Sequence, residues 1–434
     1  MLMSPDQNRA PEKLKAPSTL PPSPFNIMAK PIGPRCNIDC TYCYYLEKEK
    51  QFPAEKKFRM ADEVLESFVR QLIEAALEAG MPEAAFAWQG GEPTMLGVDY
   101  FRKIIKLQKK YAPAGLKVTN ALQTNGILLD EEWGAFLHDN EFLVGISIDG
   151  PKKVHDQYRI DRAGRPTFDA VMRGLEVLQR NGVEHNALNT VHRASAGKGK
   201  VVYRFLKRLG IEFVQFIPIA ERNGASGLAG PPQVNIHPAT SITDWSVSPH
   251  AYGKFLCEVF DIWFKGDIGK IFIQHFDAML AKWLNMPGGL CLFAEACGDG
   301  LAMEHDGSLY SCDHYVYPQY RLGRITEIPL REMLWSERQK RFGLEKADPL
   351  TAQCRACSYR FACNGGCPKH RFARAHDGES GQNYFCQSYT MFLRYAGDRL
   401  NDMARLIAAG RPAADVAQTQ LVKSRNARQN HAGQ

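Results

Sequence analysis

No apolar run in these 434 residues approaches the roughly 20 needed to cross a bilayer, so the chain does not read as a transmembrane protein. No basic start followed by an apolar segment opens it, so a secretory signal peptide is not expected either. A strong charge of one sign is also missing. Against 47 acidic side chains stand 54 basic ones, a net charge of +7. Residues 1–24 hold three basic and two acidic side chains, and residues 409–434 hold four and one, so the tails carry +4 of that total. The remainder is spread too thinly for a phosphate-binding stripe. Neither nucleic acid nor a membrane is expected as a partner, and no internal repeat of fixed period is found.

What is present is an ordinary globular composition, 44% hydrophobic and 23% charged, in a length that suits two domains or one large α/β domain with an appendage. Residues 1–24 contain six prolines and little apolar pattern, and read as a flexible leader. From Phe25 to Ile219, short apolar runs alternate with amphipathic helical patterns. Strands are predicted at Phe25–Lys30, Ala84–Trp88, Lys117–Gln123, Phe142–Ile148, Glu184–Val191 and Glu212–Ile217. Between the first two, Val64, Leu65, Phe68, Val69, Leu72 and Leu77 predict a helix over Ala61–Ala79 with one buried face, stopped by Gly80. Such a series of βα units predicts a parallel sheet, open or curled into a partial barrel, with its site at the carboxyl ends of the strands. Glu221–His250, rich in Gly, Pro, Ser and Thr, reads as an irregular connection. The aromatic residues of Val259–Trp283 read as helix core.

The informative count is 12 cysteines. Without a secretion signal a disulfide framework is not expected, since the cytoplasm keeps thiols reduced, and clustered thiols there point to metals. Cys36, Cys40 and Cys43 form C-x3-C-x2-C just after the first predicted strand. Three thiolates would leave a structural zinc site incomplete. A cubane iron–sulfur cluster takes one thiolate per iron, so three leave one iron free to bind substrate or cofactor.

This loop, with Tyr42 before its third cysteine, resembles the signature of the radical S-adenosylmethionine (radical SAM) enzymes. The resemblance implies a partial (β/α)6 barrel, a [4Fe–4S] cluster on Cys36, Cys40 and Cys43, and S-adenosylmethionine chelated to the open iron. It also implies cofactor contacts. Gln89–Pro93 is similar to the family's GGEP motif, where the backbone around Gly91 holds the methionyl amine. Ser147 and Asp149 match the segment that contacts the ribose, Arg159 matches an arginine expected to pair with the cofactor carboxylate, and Tyr42 is expected against the adenine.

Eight further cysteines fall within under a hundred residues: Cys291, Cys297, Cys312, Cys354, Cys357, Cys363, Cys367 and Cys386. Spacing alone allows two zinc-ribbon-like sites. The order resembles the cysteine-rich SPASM extension of radical SAM enzymes, which implies two auxiliary [4Fe–4S] clusters. One would be held by Cys291, Cys297, Cys312 and Cys367, the other by Cys354, Cys357, Cys363 and Cys386. Full cysteine ligation suits electron transfer. Only Cys257 is left over, in the apolar run FLCEVF, where a buried core thiol is expected. His275, His305, His314 and His370 show no metal-ligand spacing and read as structural or surface residues.

Within that group the chain is most similar to the anaerobic sulfatase-maturating enzymes, through Ala29-Lys30-Pro31, Trp88–Thr94, Gln123–Gly126 and Asp313 directly after Cys312. The resemblance implies oxidation of a Cys or Ser of an unfolded or nascent sulfatase polypeptide to Cα-formylglycine, with Asp313 as the base, in the cytoplasm. A cellular reductant such as flavodoxin or ferredoxin would supply electrons. Two other readings use the same cysteines: a SPASM maturase that crosslinks a ribosomal peptide, for which the leader is too short to be a leader-binding domain, and a zinc-ribbon interaction protein. The expected division is a flexible leader over 1–24, a radical SAM partial barrel over 25–220, a connecting segment with helices over 221–289, a SPASM auxiliary-cluster domain over 290–395, and a terminal helix and basic tail over 396–434.

Three four-iron clusters predict about 12 iron atoms in the anaerobically reconstituted protein. Joint replacement of Cys36, Cys40 and Cys43 should remove about four of them and abolish cleavage of S-adenosylmethionine. Iron and sulfide analysis checks this; zinc in their place would favour the binding module.

Overall fold

The computed structural model describes residues 22–52, 58–224, 227–234 and 241–416. Most of the expected leader and the end of the basic tail lie outside these residues. Six parallel strands carry the N-terminal half: β1 (Asn26–Ala29), β2 (Glu83–Trp88), β3 (Lys117–Thr124), β4 (Phe142–Ser147), β5 (His185–Val191) and β6 (Phe213–Pro218). They lie side by side in chain order, all parallel. Helices connect them, the strand, helix, strand order expected of βα units.

Each element follows from its local sequence. In β2, Ala84, Phe86 and Trp88 are buried while the residues between them are only half-buried, the period-two pattern of a strand with one face against helices. The helix Asp62–Glu78 buries Leu65, Phe68, Val69 and Leu72 against Phe86 and Trp88. Val64 is half-buried, and Leu77, in the last turn of the helix, is exposed. Gly80, at φ +62°, ends the run. The helix Glu131–Asp139 starts on Asp130, whose carboxylate accepts the Trp133 N–H at 2.9 Å.

The sheet continues past both barrel edges, reaching ten strands among the described residues. Phe272–Ile273 adds in parallel to β6. At the other edge Gly300–Met303 pairs in parallel with β1, Asn26 opposite Gly300 through Ala29 opposite Met303. Ser308–Tyr310 and Arg321–Arg324 follow antiparallel. The C-terminal cysteine-rich region therefore begins as an extension of the barrel's own sheet.

Two expectations need correcting. Glu221–His250 is not simply irregular: Arg222–Gly224 pairs antiparallel with Gly227–Ala229 and with Ser241–Ile242. Strands of two or three residues are too short to show an alternating pattern, so their composition read as loop. The last long helix, Cys386–Ala408, also begins ten residues before the expected boundary at 396. It packs with the helices Pro249–Gly266 and Gln274–Trp283 through a core in which Phe276 stacks on Phe392 at 5.2 Å, with Phe260 edge-on to both. Of the aromatics of Val259–Trp283, Phe260, Trp263, Phe264 and Phe276 are helix core as expected, Trp283 is half-buried against it, and Phe272 lies exposed on a short strand. Cys257 is half-buried against this core, and burial raises its thiol to about 11. Among the described residues no helix is long and apolar enough to cross a membrane.

One close approach fixes the barrel wall. A β-carbon on Gly174, in the helix Phe168–Arg180, would lie 2.0 Å from the carbonyl oxygen of Gly126, in the turn after β3. Gly126 itself has φ +79°. Gly174→Ala should therefore force the helix off the turn and cost about 1–3 kcal/mol, the usual price of overpacking. Urea unfolding should register a lower midpoint at unchanged slope; an unmoved midpoint would mean the helix shifts freely.

Candidate functional site

The first cysteine loop leaves the end of β1, and the turn after β2 holds it. Gly91 N–H donates to the carbonyl of Gly33 at 2.7 Å and Glu92 N–H to that of Arg35 at 2.8 Å. A β-carbon on Gly91 would sit 1.8 Å from the Arg35 oxygen, and Gly90 adopts φ +130°, so the glycine pair is demanded by backbone contact. Gly91, expected as a cofactor contact, thus also supports the cysteine loop.

Glu92 is fully buried and ties this turn to the one after β3. It accepts from Thr94 N–H, the Thr94 and Thr124 hydroxyls and the Asn125 N–H at 2.6–3.1 Å. Burial raises its carboxyl, and these bonds counter only part of that. Asn125 in turn donates to Asn37 Oδ1 at 2.7 Å and lies 3.7 Å from Cys36 Sγ. The Gln123–Gly126 segment therefore has a physical task at the cysteine loop, one the sequence did not reveal.

Cys36 and Cys40 are buried and Cys43 half-buried, packed with Ile38, Tyr42 and Ile219. Burial raises the Cys36 thiol to about 11 and the Cys40 thiol to about 12. They would bind iron only by losing those protons. Beside them Arg159 donates to the Tyr42 hydroxyl at 2.8 Å, and Tyr42 donates to Asp149 Oδ2 at 2.5 Å. Asp149 also accepts the Thr190 N–H at 3.1 Å. Arg159 keeps a buried Nε with no partner. Such a donor beside the cysteine loop suits a carboxylate ligand. Ser147 is half-buried, its hydroxyl accepting from Gln123 at 3.1 Å. His192, not singled out by the sequence, stacks on Tyr42 at 5.9 Å and meets Tyr158 edge-on at 4.7 Å. Both its ring nitrogens are buried without hydrogen-bond partners, and burial lowers its pKa.

A second group joins this loop to the C-terminal region. Lys30, the residue after β1, lies 2.6 Å from Asp313 Oδ1. Tyr44, the residue after Cys43, donates to Asp313 Oδ2 at 2.5 Å. Lys30 also donates to Gln89 Oε1 at 3.2 Å. Burial alone would raise the Asp313 carboxyl, but Lys30, His314 and the Tyr44 hydroxyl together hold it well below the usual carboxylate range. His314 tilts against Tyr44 at 5.6 Å, and Lys369 lies 4.2 Å over the same ring while pairing with Glu221 at 2.5 Å. His275, His305 and His370 are buried, while His314 is half-buried and belongs to this site.

The eight late cysteines fall into two groups. Cys297, Cys312 and Cys367 each feel Cys291, and Cys297 and Cys312 also feel Cys367. Cys363 feels Cys354, Cys357 and Cys386, and Cys354 feels the latter two. Burial is the largest influence on Cys297, Cys312, Cys354, Cys363 and Cys367, and raises Cys297 and Cys363 to about 12. The second group lines a cavity of about 380 Å³ together with Gly365 and Arg371. Four thiols round one cavity are a donor set that fits an iron–sulfur cluster, in which each thiolate bonds a different iron.

A family model for the Radical SAM superfamily matches residues 31–199, and one for an iron–sulfur cluster-binding domain, SPASM, matches residues 291–358. The chain is 42% identical over 393 residues to a serine-type anaerobic sulfatase-maturating enzyme from Bacteroides thetaiotaomicron, covering 88% of this chain and 92% of that one. It is 34% identical over 390 residues to a cysteine-type anaerobic sulfatase-maturating enzyme from Clostridium perfringens, covering 88% and 99%. Among solved structures it is similar to native anSMEcpe with bound AdoMet and Kp18Cys peptide, at a TM-score of 0.76, 34% identity and coverage of 88% and 99%. With both family models and full-length relatives in agreement, the chain belongs to the anaerobic sulfatase-maturating enzymes, radical SAM proteins with a SPASM domain.

Proposed function

We propose that this enzyme oxidises one Cys or Ser side chain of a sulfatase polypeptide to Cα-formylglycine, using S-adenosylmethionine and three [4Fe–4S] clusters. The observation that carries the reading is the position of Asp313. Its carboxylate is hydrogen-bonded by Tyr44, next to Cys43 of the first cysteine group, and it follows Cys312 of the second. A proton acceptor thus stands between the two kinds of thiol site.

Cys36, Cys40 and Cys43 would hold the primary cluster. Cys291, Cys297, Cys312 and Cys367 would hold one auxiliary cluster, and Cys354, Cys357, Cys363 and Cys386 the other. Tyr42, Gly91, Ser147 and Arg159 would hold S-adenosylmethionine. When bound, these groups supply a radical that takes hydrogen from the substrate Cβ and an acceptor for the electron that must also leave. The chain's own part is the proton. Lys30 keeps Asp313 ionised and Tyr44 fixes one of its oxygens, so the carboxylate meets the substrate thiol or hydroxyl as a base. Because Asp313 is buried, a substrate side chain reaches it only from an extended segment, which favours an unfolded or nascent polypeptide. A one-electron donor such as flavodoxin or ferredoxin completes the set of partners, and the cytoplasm is the compartment that keeps these thiols reduced.

Mass spectrometry of sulfatase peptides, in Cys and Ser versions, incubated with reduced enzyme and S-adenosylmethionine tests the reaction. Asp313→Asn should retain its iron and form 5′-deoxyadenosine, while formylglycine falls by about 100-fold or more. An unchanged rate at full iron rejects the assignment, and loss of iron would make Asp313 a support of its cluster loop. Arg159→Ala should weaken S-adenosylmethionine binding by about tenfold or more, the scale of a lost charge-assisted bond, with all clusters retained. Equilibrium dialysis giving unaltered affinity would remove Arg159 from the cofactor site.

A further inference from the structure

Two cations lie in the interior of the cysteine-rich region, and no carboxylate pairs with either among the described residues. Lys346 has no exposed surface and Arg371 only 4%. Lys346 Nζ donates to the carbonyls of Cys291 at 2.6 Å, Leu292 at 3.2 Å and Ala294. Arg371 donates to the carbonyl of Lys346 at 2.6 Å and to those of Asn364, Gly365 and Gly366 at 3.3–3.4 Å. Those three residues run consecutively at φ +48°, +72° and +63°. This left-handed run, allowed by two glycines, turns successive carbonyls onto one guanidinium. Carbonyls satisfy the N–H donors but leave the charges unbalanced, and burying an unbalanced charge is costly.

Thiols lie around both cations. Lys346 is under the influence of Cys297, Cys367 and Cys291, all of the first auxiliary group. Arg371 is under that of Cys354 from the second group and of Cys367 and Cys297 from the first. Its Nη2 lies 2.9 Å, and Cys354 Sγ 3.3 Å, from the point a β-carbon on Gly365 would occupy. Arg371 also lines the cavity of the second group. The carbonyls of the Cys291 loop, Lys346, Arg371 and the 364–366 turn therefore form a continuous bridge from one thiol group to the other.

We propose that Lys346 and Arg371 are the fixed counter-charges of the two auxiliary clusters, Lys346 serving the first and Arg371 shared between both, and that they raise the clusters' affinity for an electron. This rests on the three-cluster reading above. Four thiolates make a cubane site negative, and each electron it gains adds to that charge. A buried cation stabilises the reduced form more than the oxidised one, and low local polarity enlarges the difference. The role fits the reaction's electron balance. A Ser side chain that gives up a hydrogen atom to the cofactor radical, a proton to Asp313 and one electron becomes the formyl group. A Cys side chain that gives up the same three becomes a thioaldehyde, which water hydrolyses to the formyl group with release of hydrogen sulfide. In either case the one electron would need an auxiliary cluster as its acceptor. Lys346 and Arg371 are thus positioning residues for charge, remote from the reacting atoms.

The test is an anaerobic redox titration of the full-length, reconstituted protein followed by electron paramagnetic resonance, with iron content measured on every sample. Lys346→Met should make one auxiliary cluster at least tenfold harder to reduce, a fall of about 59 mV for one electron. Arg371→Met should lower both auxiliary potentials, and Arg371→Lys, which keeps the charge and loses the fork, should stay near the unaltered protein. If Arg371→Met loses its iron, Lys346→Met and Arg371→Lys still decide the matter. Unmoved potentials at full iron would overturn the proposal. So would an Arg371→Lys shift as large as that of Arg371→Met, or iron loss in all three variants, since the residues would then only support loops. About four irons in the unaltered protein would instead refute the three-cluster reading.

Discussion

The ion pair between Lys30 and Asp313, 2.6 Å long and almost out of solvent, joins two parts of the chain nearly three hundred residues apart. Its two residues sit at the ends of frameworks that leave them little choice. Lys30 is the first residue beyond β1, whose backbone is paired on one side to β2 and on the other to Gly300–Met303. Asp313 comes from the chain that leaves the antiparallel extension of that same sheet. Removing either partner would strand a charge in the interior, so the pair is a constraint on the relative placement of barrel and cysteine-rich region as much as an attraction.

Around that pair, the site is organised by burial of polar groups that must find partners. Glu92 ties the turns after β2 and β3 beneath the first cysteine loop. Asp149 receives Tyr42, which receives Arg159. Tyr44 links the residue next to Cys43 with Asp313. Each link passes between elements, so the cysteine loop is held by the strand ends and not by its own short segment. The same logic extends to Lys346 and Arg371, whose charges find carbonyls but, among the described residues, no carboxylate. Under the proposed assignment of eleven thiols to clusters, the negative charge would belong to the ligands and these two cations would supply the compensating positive charge.

Much of this was legible from residues alone. The period-two runs and the helical stripe of residues 61–79 place the strands and helices to within a residue or two, because burial of one face leaves a periodic trace in the sequence. The cysteine spacings mark clusters because metal ligation tolerates few residue types. The short strands between Arg222 and Ile242 left no trace, since two or three residues cannot establish a period. Gly91 was legible as a family mark but not as the residue on which the cysteine loop rests, for that depends on a backbone contact with Arg35.

The sequence by itself determined the βα order and the two cysteine-rich stretches, which are properties of residue type and spacing within a segment. The division of the eight late cysteines into two interleaved sets and the place of Asp313 came from the family resemblance. Only the tertiary structure decided which side chains face Asp313, that His192 stacks on Tyr42 beside the first cysteine loop, that Glu92 ties two turns together beneath it, and that Lys346 and Arg371 lie among the late cysteines. Partners far apart in the chain carry no mark of one another in a single sequence, because their meeting is fixed by sheet register and by the cost of leaving buried charge and polar atoms unpaired.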